Sequence, residues 1–165
     1  MARGQGEHLM GLLQDLLDGA GHGWCDLTAL GVGIGPGNFT GIRISVSAAR
    51  GLALSLGIPA IGVSSFEATA LAHIGPFTTS VAAPREQLYT QLFSTEGPQA
   101  PRLVSAGEID KNIPYIPCSA PLELAGQIAQ IAAKRAGTPQ PRPAPLYIKA
   151  ADAAPSRDPA PTLLA

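Results

Sequence analysis

The sequence predicts an α/β fold built around a right-handed parallel β-α-β unit, and three consecutive segments support this prediction. The apolar segment 27–34 is typical of a buried strand, 39–56 of an amphipathic helix, and 60–63 of a second strand. Gly57 and Pro59 separate the helix from the second strand, because glycine commonly ends a helix and proline cannot continue one. A strand, a helix and another strand in so short a span indicate parallel pairing with a right-handed crossover.

Length and composition limit the class of protein. A chain of 165 residues with 45% hydrophobic residues predicts one domain, or one domain with a small lobe. We expect a first-lobe core with the glycine-rich turn and interface helices at 1–76, a reduced second lobe at 77–137 and a proline-rich C-terminal tail at 138–165. A net charge of −1 argues against unaided nucleic-acid binding, which requires a basic surface.

The hydropathy pattern predicts a cytoplasmic protein. No apolar run reaches the roughly 20 residues that span a bilayer. The first eight residues lack the apolar core of a signal peptide. We therefore expect no membrane partner.

Two helices flank the β-α-β unit. Leucines at spacings of three and four predict a helix over 8–20 with one apolar face. After the second strand, Ser64 or Ser65 is expected to cap a short helix, with Glu67 in its first turn. Segment 39–56 carries a second stripe, made of small residues that would let another backbone approach: Ser47, Ala48, Gly51 and Ser55.

Two strands are expected next, over 78–82 and 88–93, joined by a turn at 83–86. The signal weakens after Phe93, where 113–116 is expected to be a strand interrupted by Pro114.

The C-terminal part begins with a strong helix signal over 121–136, which has proline at its first position. Prolines then recur from 138 onward, too often for that tail to fold alone. Within it, 146–148 is the stretch expected to dock on the rest of the protein.

The segment from Gly35 to Arg43 is the most informative part of the chain. A glycine-rich turn between a strand and a helix presents backbone N–H groups and a positive dipole end, which suits an anion. It is neither a Walker A loop nor a dinucleotide fingerprint, because the required lysine and third glycine are missing. Anion binding and a tight packing turn are equally good interpretations. The candidate anion- or nucleotide-binding residues are Gly35, Gly37, Asn38, Thr40 and Gly41.

Arg43 lies in the first turn of the predicted helix, where a cation opposes the helix dipole. This position indicates either an ion pair with a partner or bound anion, or an ordinary solvated charge. Asn38 or Thr40 is expected to cap the same helix.

No catalytic constellation emerges from the reactive residue types. His8, His22 and His73 lack the spacing of zinc ligands, and no serine is flanked as Gly-x-Ser-x-Gly. Cys25 and Cys118 are far apart and are expected to be reduced thiols. No early strand carries an aspartate that could hold a metal-bound nucleotide. We predict no catalytic residues, no metal and no obligatory cofactor.

The residues around the glycine-rich turn resemble the TsaB (YeaZ) family. The matching motifs are Gly-Pro-Gly-Asn-Phe-Thr-Gly-Ile-Arg over 35–43, Gly-Leu-Ala over 51–53 and Gly-Ile-Pro-Ala-Ile-Gly-Val-Ser-Ser-Phe-Glu-Ala over 57–68. Weaker similarity lies in the Glu-Gln-Leu-Tyr of 86–89 and the Pro-Leu-Tyr-Ile-Lys of 145–149. Asn38 stands where the family usually has serine, which is also a good helix cap.

The resemblance implies a ribonuclease-H-like, actin-like ATPase fold and membership in the glycoprotease family. It further implies a non-catalytic scaffold subunit in making N6-threonylcarbamoyladenosine in tRNA. Expected partners are the TsaD transferase, the TsaE ATPase through the complex, tRNA only through the complex, and a second copy in a homodimer. Weak ATP or ADP binding at the complex interface is compatible with this role. The expected interface residues are Leu9, Leu12, Leu13, Leu16, Arg43, Ser47, Ala48, Gly51 and Ser55.

The sequence departs from the family pattern at its start, and other functions are alternatives to the scaffold role. Family members begin with strands carrying a hydrophobic-Asp-Thr-Ser motif, and Met1 lies past that point. We therefore expect a family member without its first strands, with exposed sheet edges that lower stability and favour self-association. A nucleotide-binding ATPase of the actin-like fold is the main alternative. A metallopeptidase and a purely structural dimer module are weaker ones.

Overall fold

The computed structural model describes residues 5–148, and the predicted tail beyond 148 lies outside this range. Its helices are α1 (Gln5–Gly19), α2 (Phe39–Leu56), α3 (Ser65–Ala70) and α4 (Pro121–Arg135). Its strands are β1 (Leu30–Gly33), β2 (Ala60–Val63), β3 (Phe77–Ala82), β4 (Gln87–Ser94), β5 (Gly97–Pro98), β6 (Arg102–Ser105) and β7 (Tyr115–Pro117).

The predicted β-α-β unit is confirmed. Strands β1 and β2 pair in parallel, with Leu30 opposite Ala60 and Gly33 opposite Val63, and α2 connects them. Gly57 ends α2 in the left-handed conformation, with φ of 68°, as a helix-terminating glycine should. The apolar strands and the glycine stop signal therefore define this part of the fold from local sequence.

Helix α4 packs closely against β1. A Cβ built on Gly31 would lie 2.9 Å from Cβ of Ala132 and 3.1 Å from the carbonyl oxygen of Ile128. Only glycine leaves room for such an approach, because real Cβ contacts are longer. Glycine in this strand therefore brings the C-terminal helix onto the first sheet.

The hydrophobic core lies where the first sheet meets α3 and α4. Ile61 and Val63 of β2 are fully buried and cluster with Ala68, Ile131 and Ala132. Half-buried hydrophobic side chains complete the cluster: Ala29, Leu71, Leu124 and Ile128. Burial of these apolar side chains stabilises the contact between segments that are distant in sequence.

The second sheet has five strands. Strands β3 and β4 pair antiparallel, from Phe77 opposite Phe93 to Ala82 opposite Leu88, which confirms the two strands predicted there. Strand β7 pairs in parallel with β3, while β5 and β6 both pair with β4. Each central strand is therefore hydrogen-bonded along both edges.

The structure departs from the sequence-based elements at a few places. Helix α1 begins at Gln5 rather than at residue 8, and the strand expected at 113–116 is displaced to Tyr115–Pro117. Pro114 lies just before this strand, and its carbonyl oxygen accepts a hydrogen bond from the Thr78 N–H at 2.8 Å. Because proline has no N–H to donate, this acceptor is its one backbone contribution to the pairing with β3. Strands β5 and β6 were not predicted, because they are short and form by pairing with β4 rather than by a hydrophobic pattern.

The domain division at 76/77 and 137/138 stays a prediction. Helix α4, which that division assigns to the second lobe, packs against β1, β2 and α3 of the first. The segment predicted to dock does so: the Leu146 N–H donates to the carbonyl oxygen of Ile34 at 2.8 Å.

Candidate functional site

The glycine-rich turn connects β1 to α2 and is tied to the start of α3. Gly35 has φ of 99°, a backbone conformation that favours glycine, and a Cβ there would also lie 2.7 Å from Cδ1 of Ile42. The peptide between Gly35 and Pro36 is cis. The carbonyl oxygen of Gly35 accepts a hydrogen bond from the Ser65 N–H at 2.9 Å. The turn is therefore held by packing on one side and by α3 on the other.

Asn38 is the residue that caps α2. Its side-chain oxygen accepts a hydrogen bond from the Gly41 N–H at 2.8 Å, which decides between the two predicted caps, Asn38 and Thr40. The cap uses the Gly41 N–H, one of the donors that an anion at this helix end would need. Anion binding by Gly35, Gly37, Asn38, Thr40 and Gly41 stays a prediction.

Arg43 packs against a pair of aromatic rings that contact each other. Its guanidinium carbon lies 3.8 Å from the ring centroid of Phe39 and 5.7 Å from that of Tyr147. Its Nε–H donates to the Tyr147 hydroxyl at 2.7 Å, and the two rings are 5.3 Å apart. Tyr147 belongs to the docked C-terminal segment, so this arginine joins α2 to the end of the described chain.

A cavity of about 350 Å³ opens beside this arginine. The glycine-rich turn and α2 form one wall, the turn between β3 and β4 forms another, and the C-terminal segment completes it. Its lining residues are Pro36, Gly37, Phe39, Ile42, Arg43, Pro84, Arg85, Gln87, Tyr89, Leu103, Leu146, Tyr147 and Ile148. The sequence indicated the first wall but carried no signal for Arg85 and Tyr89, because only the tertiary structure brings the β3–β4 turn and the start of β4 to α2.

The predicted interface residues lie mainly on the exposed faces of α1 and α2, which contact each other. On α1, Leu12 is 47% exposed and Leu16 is 69% exposed. Leu9 and Leu13 are half-buried.

On α2, Ser47, Gly51 and Ser55 are exposed and Ala48 is half-buried. A Cβ on Gly51 would meet no atom within 4 Å. Leu54, three residues along the helix from Gly51, is 84% exposed. Arg43 lies at the opposite end of the same helix, beside Tyr147.

An ion pair fastens α3 to α4. Glu67 and Ser64 form a capping box, in which Glu67 Oε2 accepts from the Ser64 N–H at 3.0 Å. Arg135 Nη2 donates to Glu67 Oε1 at 2.8 Å. Burial raises the pKa of Glu67, but the hydrogen bonds from Arg135 and Ser64 and the charge of Arg135 outweigh it, so this pKa lies below its usual value. The sequence predicts Glu67 in the first turn of α3, but it carries no signal for the partner, Arg135.

The histidines and cysteines are dispersed. His22 approaches Asp26 at 3.9 Å on an exposed surface, and His73 lies edge-on to Phe77. Cys25 is exposed. Cys118 is half-buried and not in a disulfide, and its Sγ lies 3.5 Å from the Thr79 hydroxyl oxygen. Among residues 5–148 there is no group of three His, Cys, Asp or Glu side chains that could hold a metal ion. In the same range, no helix is both long enough and apolar enough to cross a membrane.

Known structures share this architecture. YeaZ from Pseudomonas aeruginosa superposes with a TM-score of 0.65, covering 88% of this chain and 84% of that one, at 20% sequence identity. A second crystal structure from that organism, of an uncharacterized protein with similarity to peptidase YeaZ, gives the same TM-score. The fold is therefore the α/β actin-like ATPase type that the resemblance implied.

The sequence comparison identifies the family. The profile of TsaD, tRNA N6-adenosine threonylcarbamoyltransferase, matches residues 1–113. The TsaB protein of Escherichia coli, a tRNA threonylcarbamoyladenosine biosynthesis protein, is 44% identical over 59 residues, or 36% of this chain. An uncharacterized protein of Mycobacterium tuberculosis is 31% identical over 93% of this chain and 79% of its own length. The chain belongs to the family of this profile, and its partial matches to named proteins are to TsaB proteins.

The extent of these matches differs between relatives. The alignment covers 26% of the Escherichia coli protein and 31% of the TsaB protein of Bacillus subtilis, which is 44% identical over 71 residues. The chain thus aligns with less than a third of each of these two TsaB proteins.

Proposed function

We propose that this chain acts in the biosynthesis of N6-threonylcarbamoyladenosine in tRNA as a non-catalytic scaffold subunit that supports the TsaD transferase. The observation that carries the proposal is the apolar and small-residue surface on α1 and α2, in a chain whose named relatives are TsaB proteins. As part of this proposal the chain works in the cytoplasm, meets TsaE and tRNA through the complex, and requires no cofactor of its own.

The exposed face of α1 and α2 has the properties of a helix-packing surface. Leu12, Leu16 and Leu54 present large apolar side chains to solvent, although burial of each would be favourable by roughly 1.5–3 kcal/mol. Gly51 leaves an open gap on α2, and small residues of this kind let a second helix come close. Leu12 and Leu16, four residues apart, share one face of α1, and exposed apolar patches mark interaction sites in soluble proteins.

The partner that fits this surface is a pair of apolar helices. A second copy of this chain and the TsaD subunit could both supply such helices, since the two proteins match the same family profile. We assign TsaD as the functional partner and the homodimer as an alternative state that uses the same face.

Gly51→Leu tests the proposal. The new side chain would project into open space, so the fold should persist while the gap on α2 closes. Co-expressed tagged TsaD should then retain much less of this variant than of the unchanged chain. Gly126→Leu is the matched control, because Gly126 also lies on an exposed helix surface where an added Cβ would meet no atom within 4 Å, but on α4.

The results distinguish the alternatives. Both variants should melt at or above the temperature of the parent, since glycine is a poor helix former. Equal recovery of Gly51→Leu and Gly126→Leu with TsaD would contradict the assignment of the interface. Saturable, metal-dependent ATP hydrolysis by the isolated chain would instead favour the actin-like ATPase, and proteolysis abolished by a chelator would favour the metallopeptidase.

A further inference from the structure

We propose that the cavity between the glycine-rich turn and the turn joining β3 to β4 binds a small anion attached to a flat ring, such as an aromatic phosphate or carboxylate. This site is separate from the exposed face of α1 and α2, and it does not depend on the role proposed for that face.

The charges around the cavity have one sign. Arg43 and Arg85 both line it, and no aspartate or glutamate of the described chain does. Within residues 5–148, neither arginine forms a salt bridge with a carboxylate. Guanidinium groups bind carboxylates and phosphates through paired N–H donors, so two of them around one cavity favour an oxyanion.

Arg43 is already positioned for such a ligand. The Tyr147 hydroxyl accepts its Nε–H, and the guanidinium lies 3.8 Å from the centroid of the Phe39 ring. These contacts restrict the side chain while leaving its terminal amino groups without a hydrogen-bond partner among the described residues. A cation held in place before binding loses less entropy when the ligand arrives.

The remaining walls suit a flat apolar group. Phe39, Tyr89 and Tyr147 contribute aromatic rings, and Ile42, Leu103 and Leu146 contribute aliphatic surface. The volume of about 350 Å³ falls at the lower end of small-molecule sites. A single ring with one anionic substituent matches both the size and the division into charged and apolar walls.

The turn that carries Arg85 has an unusual backbone. Arg85 and Glu86 have φ of 61° and 56°, and the Gln87 N–H donates to the carbonyl oxygen of Pro84 at 3.4 Å. Two consecutive positive φ values are typical of type I′ turns, in which glycine and asparagine predominate. Non-glycine residues adopt this conformation only at an energetic cost. Such strain tends to persist at ligand sites, and here it places Arg85 at the cavity.

Four probe compounds test the ligand class in the full chain. Phenyl phosphate supplies both a ring and a phosphate dianion, and benzoate supplies both a ring and a carboxylate. Inorganic phosphate supplies the anion alone, and phenol supplies the ring alone. We expect saturable shifts of the Arg43 Nε–H and Gly37 N–H signals in 1H–15N spectra. Phenyl phosphate or benzoate should bind at least about tenfold more tightly than inorganic phosphate or phenol. Tighter binding of phenyl phosphate than of benzoate would indicate a phosphate ligand, and the reverse order would indicate a carboxylate ligand.

Two matched substitutions separate charge from backbone. Asparagine tolerates the left-handed region, so Arg85→Asn and Glu86→Asn should each relax the turn and preserve folding. Arg85→Asn also removes a cation from the cavity wall, and it should weaken the preferred probe about tenfold. Glu86→Asn removes a residue that does not line the cavity, and it should bind that probe at least as tightly as the parent.

Arg43→Met extends the test to the other wall, because it keeps the stem over Phe39 and removes the charge. It should also weaken the preferred probe about tenfold. The proposal is overturned if no probe binds saturably below about 10 mM, a limit set at roughly 3 kcal/mol of binding free energy. It is equally overturned if Arg43→Met and Arg85→Asn both bind the probes like the parent.

Discussion

The Nε–H of Arg43 donates to the hydroxyl of Tyr147 at 2.7 Å, although the two residues are 104 positions apart in the chain. This bond joins the N-terminal part of α2 to the docked C-terminal segment and closes one side of the cavity. The sequence places a cation near the positive end of the helix dipole, which is unfavourable. The contacts of Arg43 with the Phe39 and Tyr147 rings offset this cost.

Tyr147→Ala should release the C-terminal segment, because it removes both the hydrogen bond and the ring that packs on Phe39. Amide exchange at Leu146, whose N–H donates to Ile34, should accelerate several-fold or more while exchange in β2 stays unchanged. Tyr147→Phe is the control: it keeps the ring, so its exchange should lie between those of parent and alanine variant. Unchanged Leu146 exchange in Tyr147→Ala would show that the segment docks without this residue.

Glu67→Gln should lower stability by less than about 1 kcal/mol at neutral pH, because the pair with Arg135 is more than a third exposed. Glutamine still completes a capping box, so the substitution removes mainly the charge. Since the folded-state pKa of Glu67 is depressed, the carboxylate contributes stability above its unfolded pKa. That contribution is lost as the pH falls through the lower, folded-state pKa.

Urea denaturation from about pH 7 down to about pH 3 measures this difference across the range in which the carboxylate titrates. The parent and Glu67→Gln should converge in free energy of unfolding at the acid end of the range. A gap that widened as the pH fell would contradict the sign of the shift. The Arg135→Gln variant and the double variant complete a double-mutant cycle, which isolates the interaction free energy between Glu67 and Arg135.

Gly31→Ala should destabilise the protein by about 1–3 kcal/mol, because the added methyl group would collide with Ala132 and the backbone of Ile128. Gly51→Ala, in the open surface of α2, should instead stabilise it by about 0.5–1 kcal/mol. Free energies of unfolding from urea denaturation give both values. If Gly31→Ala were neutral, α4 would not pack on β1 as closely as described.

Asn38→Ala should cost about 1 kcal/mol, since it removes the side-chain oxygen that accepts the Gly41 N–H. Asn38→Ser should be nearly neutral, because serine caps helices equally well. Thr40→Ala, on the same helix end, should have little effect on the cap. Thermal unfolding of the three variants ranks them, and equal loss from Asn38→Ala and Thr40→Ala would contradict the assigned cap.

Local sequence signals predicted the β-α-β unit well. The bounds of α2 and β2 follow from Asn38, Gly57 and Pro59, whose effects act within a few residues of each one. The family likewise followed from the continuous motif around Gly35–Arg43. These features need no knowledge of distant contacts.

Tertiary structure decided the rest. Strand β6 exists because β4 offers it an edge, and Gly31 is explained only when α4 lies against it. Arg43 was visible as a candidate, but its partner Tyr147 and the second arginine of the cavity, Arg85, come from segments that carry no mutual signal in the sequence. The physical reason is that caps and stop signals depend on neighbouring residues, whereas a cavity depends on where folding brings separate surfaces together.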